Sequence, residues 1–316
     1  MQSSRRRLSN PKIYFRNLIL AALIAAFLGV FTLVSALVYM EFQAFTSAKP
    51  SVPDVTPTEV GLEFEEVSFT TEDGLRISAW YVPPQEPNRG VLVLVHGQGA
   101  NRSSMLPTAE ILARHGYGSL LIDLRAHGMS DGDMVTYGYQ EVHDVIAAFE
   151  YLALREDIDP ERIGALGRSL GGAAVIRGAA RSDIPKFIVI ESTYSSLSDL
   201  IEDTYGAISI FPQWPFADLI MALAENKVHA RVEEVDLVQD LSHTSSLQVF
   251  LIHGAEDQII PVEHHRRLAE SIKEEGEFWI IPGMGHASPA EFAPEEYERR
   301  LIRFLENTEA NLEGVE

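Results

Sequence analysis

The stretch from Ile163 to Ile176 constrains the rest of the chain more than any other. Ile163-Gly164-Ala165-Leu166-Gly167 is small and apolar, and Arg168-Ser169-Leu170-Gly171-Gly172 follows at once. Leu170, Ala173, Ala174, Val175 and Ile176 then recur with helical spacing. A strand, a tight turn and a helix therefore meet at one serine. The glycines leave room where side chains would collide, and the turn lifts the Ser169 hydroxyl clear of the sheet. The helix begins at the serine, so its free N–H groups and positive end favour negative charge nearby.

A strand–turn–helix unit of this kind needs parallel neighbours, and the sequence supplies them. Short apolar or alternating runs at 63–70, 75–82, 91–95, 117–124, 162–169, 186–191, 247–253 and 277–281 predict eight strands. Helical patterns lie between most of them, including 139–154, 170–181, 262–274 and 294–305. Strands alternating with helices predict an α/β fold with a mostly parallel sheet covered on both faces. The first two strands, split by Thr71-Glu72-Asp73-Gly74, predict an antiparallel hairpin at one edge. The alternation breaks between Glu191 and Leu247, where an insertion at about 198–246 holds two predicted helices around Phe211-Pro212-Gln213-Trp214-Pro215-Phe216. Ligands bind at the carboxyl ends of such strands, so this insertion is expected to lie over the pocket as a cap.

Residues 18–40 contain no charge and would form a helix about 34 Å long, enough to cross a hydrocarbon core. A cleaved signal peptide is the alternative, and Thr46-Ser47-Ala48 offers it a small-residue cleavage site; the length favours a retained anchor. Arg5, Arg6, Arg7, Lys12 and Arg16 precede or enter this segment, and residues 1–40 hold no acid. The positive-inside rule then keeps residues 1–17 cytoplasmic and sends the C-terminal domain across the membrane. Residues 41–61, with Pro50, Pro53 and Pro57, are expected to be a tether, 62–306 the folded domain and 307–316 a loose acidic tail. The formal net charge of -21 argues against a nucleic-acid partner. No cysteine is present, which excludes disulfides, thiolate metal sites and cysteine nucleophiles.

Three strand ends carry groups that suit one another: Ser169, Asp257 and His286. A neutral hydroxyl needs a base, histidine can take and return a proton near neutral pH, and a carboxylate can hold its tautomer. Glu256 and Glu191 compete for the acid position, and His253, His264 and His265 for the base. Of these, His253 is expected to be packed structurally, and His264 and His265, opening a helix, to face solvent. His96 and His127 also lie at loops near the sheet edge. Arg168 has no assigned role; it could pair with an acid under the turn or reach toward the cap.

From about residue 62 to 306 the chain resembles an α/β-hydrolase-fold serine hydrolase. It is most similar to the membrane-anchored abhydrolase domain-containing proteins and their bacterial relatives. The resemblance rests on His96-Gly97, Asp123-x-Arg125-x-His127-Gly128-x-Ser130, Gly167-Arg168-Ser169-Leu170-Gly171-Gly172, Glu191-Ser192-Thr193-Tyr194-x-Ser196-Leu197, His253-Gly254-x-x-Asp257-x-x-Ile260-Pro261 and Gly285-His286. It implies that Ser169, Asp257 and His286 are catalytic. It also implies that the backbone N–H groups of Gln98 and Leu170 form an oxyanion hole, each such donor being worth about 2.7–4 kcal/mol. His96 and His127 would then shape turns. The implied reaction is hydrolysis of a carboxylic ester or thioester through an acyl-enzyme, with no cofactor and no metal. A small-molecule or lipid-like acyl substrate and the membrane are the implied partners. A peptidase related to the prolyl oligopeptidases, or a non-catalytic binding protein on the same scaffold, are the alternatives.

Overall fold

The computed structural model of the chain describes residues 11–86, 89–209, 211–244, 247–272 and 276–313. The basic cluster Arg5–Arg7 and the last residues of the acidic tail, 314–316, lie outside the described residues.

Apolar side chains at every position force Val91–Val95 into a site covered from both sides. Val91, Val93 and Val95 join one core cluster, Leu92 and Leu94 the other, and all five are fully buried. This strand, β3, sits inside a sheet of eight with β1 (Glu65–Thr70), β2 (Arg76–Val82), β4 (Gly118–Ile122), β5 (Ile163–Arg168), β6 (Phe187–Glu191), β7 (Gln248–Gly254) and β8 (Glu277–Ile281). The spatial order is β8-β7-β6-β5-β3-β4-β2-β1. Neighbours from β8 to β4 run parallel, whereas β1 and β2 form the antiparallel edge hairpin. Helices α3 (Glu141–Ala153) and α4 (Leu170–Ala179) cover one face through Val145, Phe149, Val175 and Ile176. Helices α2 (Leu106–Arg114) and α9 (Pro294–Glu313) cover the other through Leu112, Leu301 and Leu305.

Ahead of this domain stands α1 (Pro11–Thr46), one continuous helix. Its apolar window has mean hydropathy 2.6 and no buried residue, so it is not a core helix of the domain. It is a candidate membrane span by length and composition. Burial begins only near its end, at Val38, Phe42 and Thr46.

Three expectations about the segments of the chain need correction. Residues 41–61 are not a free tether, because their backbone groups find partners on the domain. Val135 N–H donates to Thr46 O at 2.7 Å, Lys49 N–H to Ala126 O at 2.6 Å and Ser51 N–H to Gly128 O at 3.0 Å. Residues 307–313 are not loose, since α9 continues to Glu313. Glu309 fixes that extension by accepting from Gly90 N–H at 3.1 Å, Arg89 at 2.9 Å and the Tyr117 hydroxyl at 3.1 Å. The described residues of the insertion hold three α-helices rather than two: α5 (Leu197–Ile208), α6 (Gln213–Val228) and α7 (Leu237–Ser242). Among the described residues, α5 and α6 make up the helices of the cap, whereas α7 packs on α4 and on α8 (Glu263–Ser271) in the helical layer.

His264 and His265, expected at the surface, are buried instead. His264 Nδ1 accepts from Ser195 N–H at 3.0 Å, and His265 packs edge-on against His253 and Phe278. Burial holds both imidazoles down to about 4. In the unfolded chain they titrate near 6.5, so their contribution to stability is complete above that pH and is lost as pH falls toward 4. Lowering the pH from 7 to 5 is expected to cost about 2 kcal/mol for each histidine. Thermal midpoints of the detergent-solubilised protein at the two pH values check this. His265→Leu should shrink the difference between them, and an unchanged difference contradicts the assignment.

Candidate active site

Ser169 stands between the last residue of β5 and the first of α4, with φ 53° and ψ -119°. That left-handed backbone is strained for a non-glycine residue, at a cost of about 1–3 kcal/mol. The surroundings enforce it. Ser169 N–H donates to Glu191 O at 2.8 Å, and the Thr193 hydroxyl donates to Ser169 O. Gly171 must be glycine, because a Cβ there would sit 2.4 Å from Val95 O. The register Val95↔Gly167 carries the loop after β3 up beside the serine, so that a Cβ on Gly97 would lie 3.3 Å from Ser169 Cβ.

The partners arrive from the far half of the sheet. Register Gly254↔Ile281 between β7 and β8 places the loops after both strands side by side. Asp257 lies on the first and His286 on the second. Ser169 Oγ stands 3.2 Å from His286 Nε2, and His286 Nδ1 donates to Asp257 Oδ2 at 2.7 Å. The other Asp257 oxygen accepts from Ile259 N–H at 2.9 Å and Ile260 N–H at 2.8 Å. Burial works against the Asp257 charge, yet the His286 hydrogen bond and the Ile260 N–H outweigh it and hold the carboxyl below its ordinary value.

Of the competing residues, Glu256 is exposed, and Glu191 and His253 are held elsewhere. Glu191 is fully buried and holds Arg168 Nε at 2.8 Å and the Tyr297 hydroxyl at 2.6 Å. Arg168 also donates to Ser288 Oγ at 3.0 Å. That resolves Arg168: it pairs with the acid beside the turn and ties β5 to the loop after His286. His253 packs structurally, as expected, with Nε2 donating to Ile260 O at 2.8 Å. His96 donates from Nδ1 to Gly97 O at 2.7 Å and accepts Leu124 N–H at 3.1 Å; burial pushes it down to about 3, so it shapes the loop as a neutral ring. In the Asp123 motif the carboxylate accepts Arg102 N–H and Met129 N–H at 2.7 and 2.9 Å, and Arg125 pairs with Asp144 and Asp73. These groups build the loops around the site without facing it.

Residues 107–311 match the prolyl oligopeptidase family, which is more than half of the chain. This chain belongs to that family. The uncharacterized protein Rv2307c of Mycobacterium tuberculosis is 31% identical over 241 residues, covering 76% of both sequences. The alpha/beta hydrolase domain-containing protein WAV2 of Arabidopsis thaliana is 24% identical over 261 residues, covering 80% of this chain and 82% of WAV2. Among solved structures, the Pyrococcus furiosus esterase Pf2001 is similar at 25% identity with a TM-score of 0.68, covering 83% of this chain and 98% of that one. The fold is that of the α/β-hydrolases, and the chain is a member of that hydrolase superfamily.

Two hollows border the loops that carry these groups in this member of the prolyl oligopeptidase family. One, of about 500 Å³, is polar and open, and is lined by His286, Arg168, Ser192, Ser103, Ser104 and Glu291 among others. The other, of about 270 Å³, is almost wholly apolar and lies under the cap. It runs from Gln98, next to Gly97, to Ile259, two residues beyond Asp257. Phe42 and Phe45 of α1 and Tyr137 also line it, and sequence reasoning missed all three. A continuing Phe42-x-x-Phe45 spacing past the charged Glu41 was the one available signal for the first two; Tyr137 had none.

Proposed function

We propose that this chain is a membrane-anchored serine hydrolase that cleaves a carboxylic ester or thioester. The hydrogen-bonded line Ser169–His286–Asp257, with the serine raised on a strained turn, carries the reading. His286 Nε2 takes the Ser169 proton as Oγ attacks the acyl carbonyl, and Asp257 holds the ring with Nε2 free to accept. The oxyanion is held by the N–H of Leu170, which as the first residue of its helix has no partner among the described residues, and by the N–H of Gln98. His286 then gives the proton to the leaving group, and water releases the acid by the same steps in reverse.

A retained anchor is supported by Val38 and Phe42, which pack against the domain, and by α1 exposing apolar side chains from Leu18 to Tyr39. Lys12 and Arg16 favour a cytoplasmic N-terminus and a domain across the membrane. The family assignment favours a second reading, a serine peptidase with the same groups. The apolar hollow speaks against it, since none of the described residues lining it carries a charge to hold a peptide α-amine.

A membrane-impermeant fluorophosphonate probe tests chemistry and topology together. In right-side-out vesicles it should label wild type and leave Ser169→Ala unlabelled. Labelling only after lysis overturns the orientation, and no labelling of folded wild type overturns the hydrolase reading. A panel of p-nitrophenyl esters, acyl-thioesters and aminoacyl amides separates the two readings; turnover of the amides alone would establish the peptidase.

A further inference from the structure

We propose that the last turn of α1 is a wall of the acyl-binding site, so that the membrane helix itself helps to select the acyl chain of a bilayer-borne ester or thioester. This inference rests on the hydrolase reading above and specifies its substrate as an amphiphile with a long acyl chain.

The helix end is joined to the site by hydrogen bonds as well as by packing. The last carbonyls of a helix have no partner within it. Here Phe45 O accepts from Gln98 Nε2 at 2.9 Å and from the Tyr137 hydroxyl at 3.2 Å. Gln98 is the residue whose backbone N–H is assigned to the oxyanion. The end of the membrane helix and the oxyanion loop therefore hold each other in place.

The apolar hollow opens between them. Phe42 and Phe45 form the α1 side, and Leu200, Tyr205, Met221 and Ala224 the cap side. At about 270 Å³ it lies near the lower bound of small-molecule sites and suits a single alkyl chain. Its position along α1 sets where that chain comes from. The uncharged run ends at Met40, and Phe42 follows two positions later, past Glu41, so the hollow lies at the level of the membrane surface. Cap helix α6 packs against α1 and leaves Trp214, Leu219 and Leu223 exposed, as an element resting on an interface would. The polar hollow beside His286 then receives the hydrophilic leaving group. A soluble short-chain ester would leave the apolar hollow empty.

The test uses the full chain in nanodiscs and p-nitrophenyl esters from acetate to dodecanoate. Each buried methylene strengthens binding about fourfold, so kcat/KM should rise at least ~100-fold from acetate to octanoate. Ala224→Trp fills the cap side and should cut the octanoate-to-acetate ratio at least tenfold. Phe42→Ala enlarges the α1 side and should move the maximum to longer chains. Thermal midpoints establish that each variant is folded. Where Ala224→Trp does not fold, Met221→Ala, which enlarges the same space, must also shift the maximum to longer chains. A flat wild-type profile overturns the proposal, and so does a Phe42→Ala profile that matches wild type. Absence of both ester turnover and Ser169 labelling in wild type would instead overturn the hydrolase reading beneath it.

Discussion

Ser169→Ala is expected to lower kcat/KM on the best ester by a factor on the order of 10⁵–10⁶, the scale seen when a triad nucleophile is lost. The protein should fold as well as before. Alanine at φ 53° carries the same backbone strain as serine, while glycine carries none. Ser169→Gly should therefore be equally inactive yet more stable, by about 1 kcal/mol, or roughly 2–4 °C in thermal midpoint. Stability in the order Gly above Ser and Ala, with activity only in Ser, separates a strained nucleophile from a serine that serves packing. Activity of Ser169→Ala within tenfold of wild type would contradict the role given to it.

Arg168→Met should destabilise the domain by about 3–5 kcal/mol, because it leaves the fully buried Glu191 carboxylate with only the Tyr297 hydroxyl. The guanidinium is packed beside the turn and bonded to both Glu191 and Ser288, so methionine replaces its volume and none of its hydrogen bonds. Adding Glu191→Gln removes the stranded charge and keeps an acceptor for Tyr297. The double variant should then recover at least about 1–2 kcal/mol of the loss. Urea unfolding in detergent measures both. A single variant within about 1 kcal/mol of wild type would show that water screens the pair.

Local pattern carried most of the fold into the sequence. The apolar runs of β3 to β7 read as strands buried on both faces; Ser169 and Asp257 each follow one of them, and His286 follows the half-exposed β8. Parallel register then brings Ser169, Asp257 and His286 to one edge, so their meeting was legible from order and strand position alone. What escaped depends on contacts between residues far apart in the chain. Gln98 and Tyr137 cap Phe45 across 53 and 92 positions, and no periodicity announces that. Glu309 looks like one more acid in a polar tail until Gly90, Arg89 and Tyr117 are placed around it. His264 and His265 have the composition of an exposed helix start, but α7 and β8 cover them, and neither covering contact is encoded locally. The arrangement of the site's polar groups was therefore readable, whereas its walls were not.

If Ser169 is the nucleophile, it carries the acyl group during turnover. The direct measurement is mass spectrometry of the full chain, acid-quenched within the first turnovers on p-nitrophenyl octanoate. An added mass of one octanoyl group is expected, located on the peptide that contains Ser169 and absent from Ser169→Ala. Ester hydrolysis that proceeds with no acyl adduct, and that persists in Ser169→Ala, would contradict it.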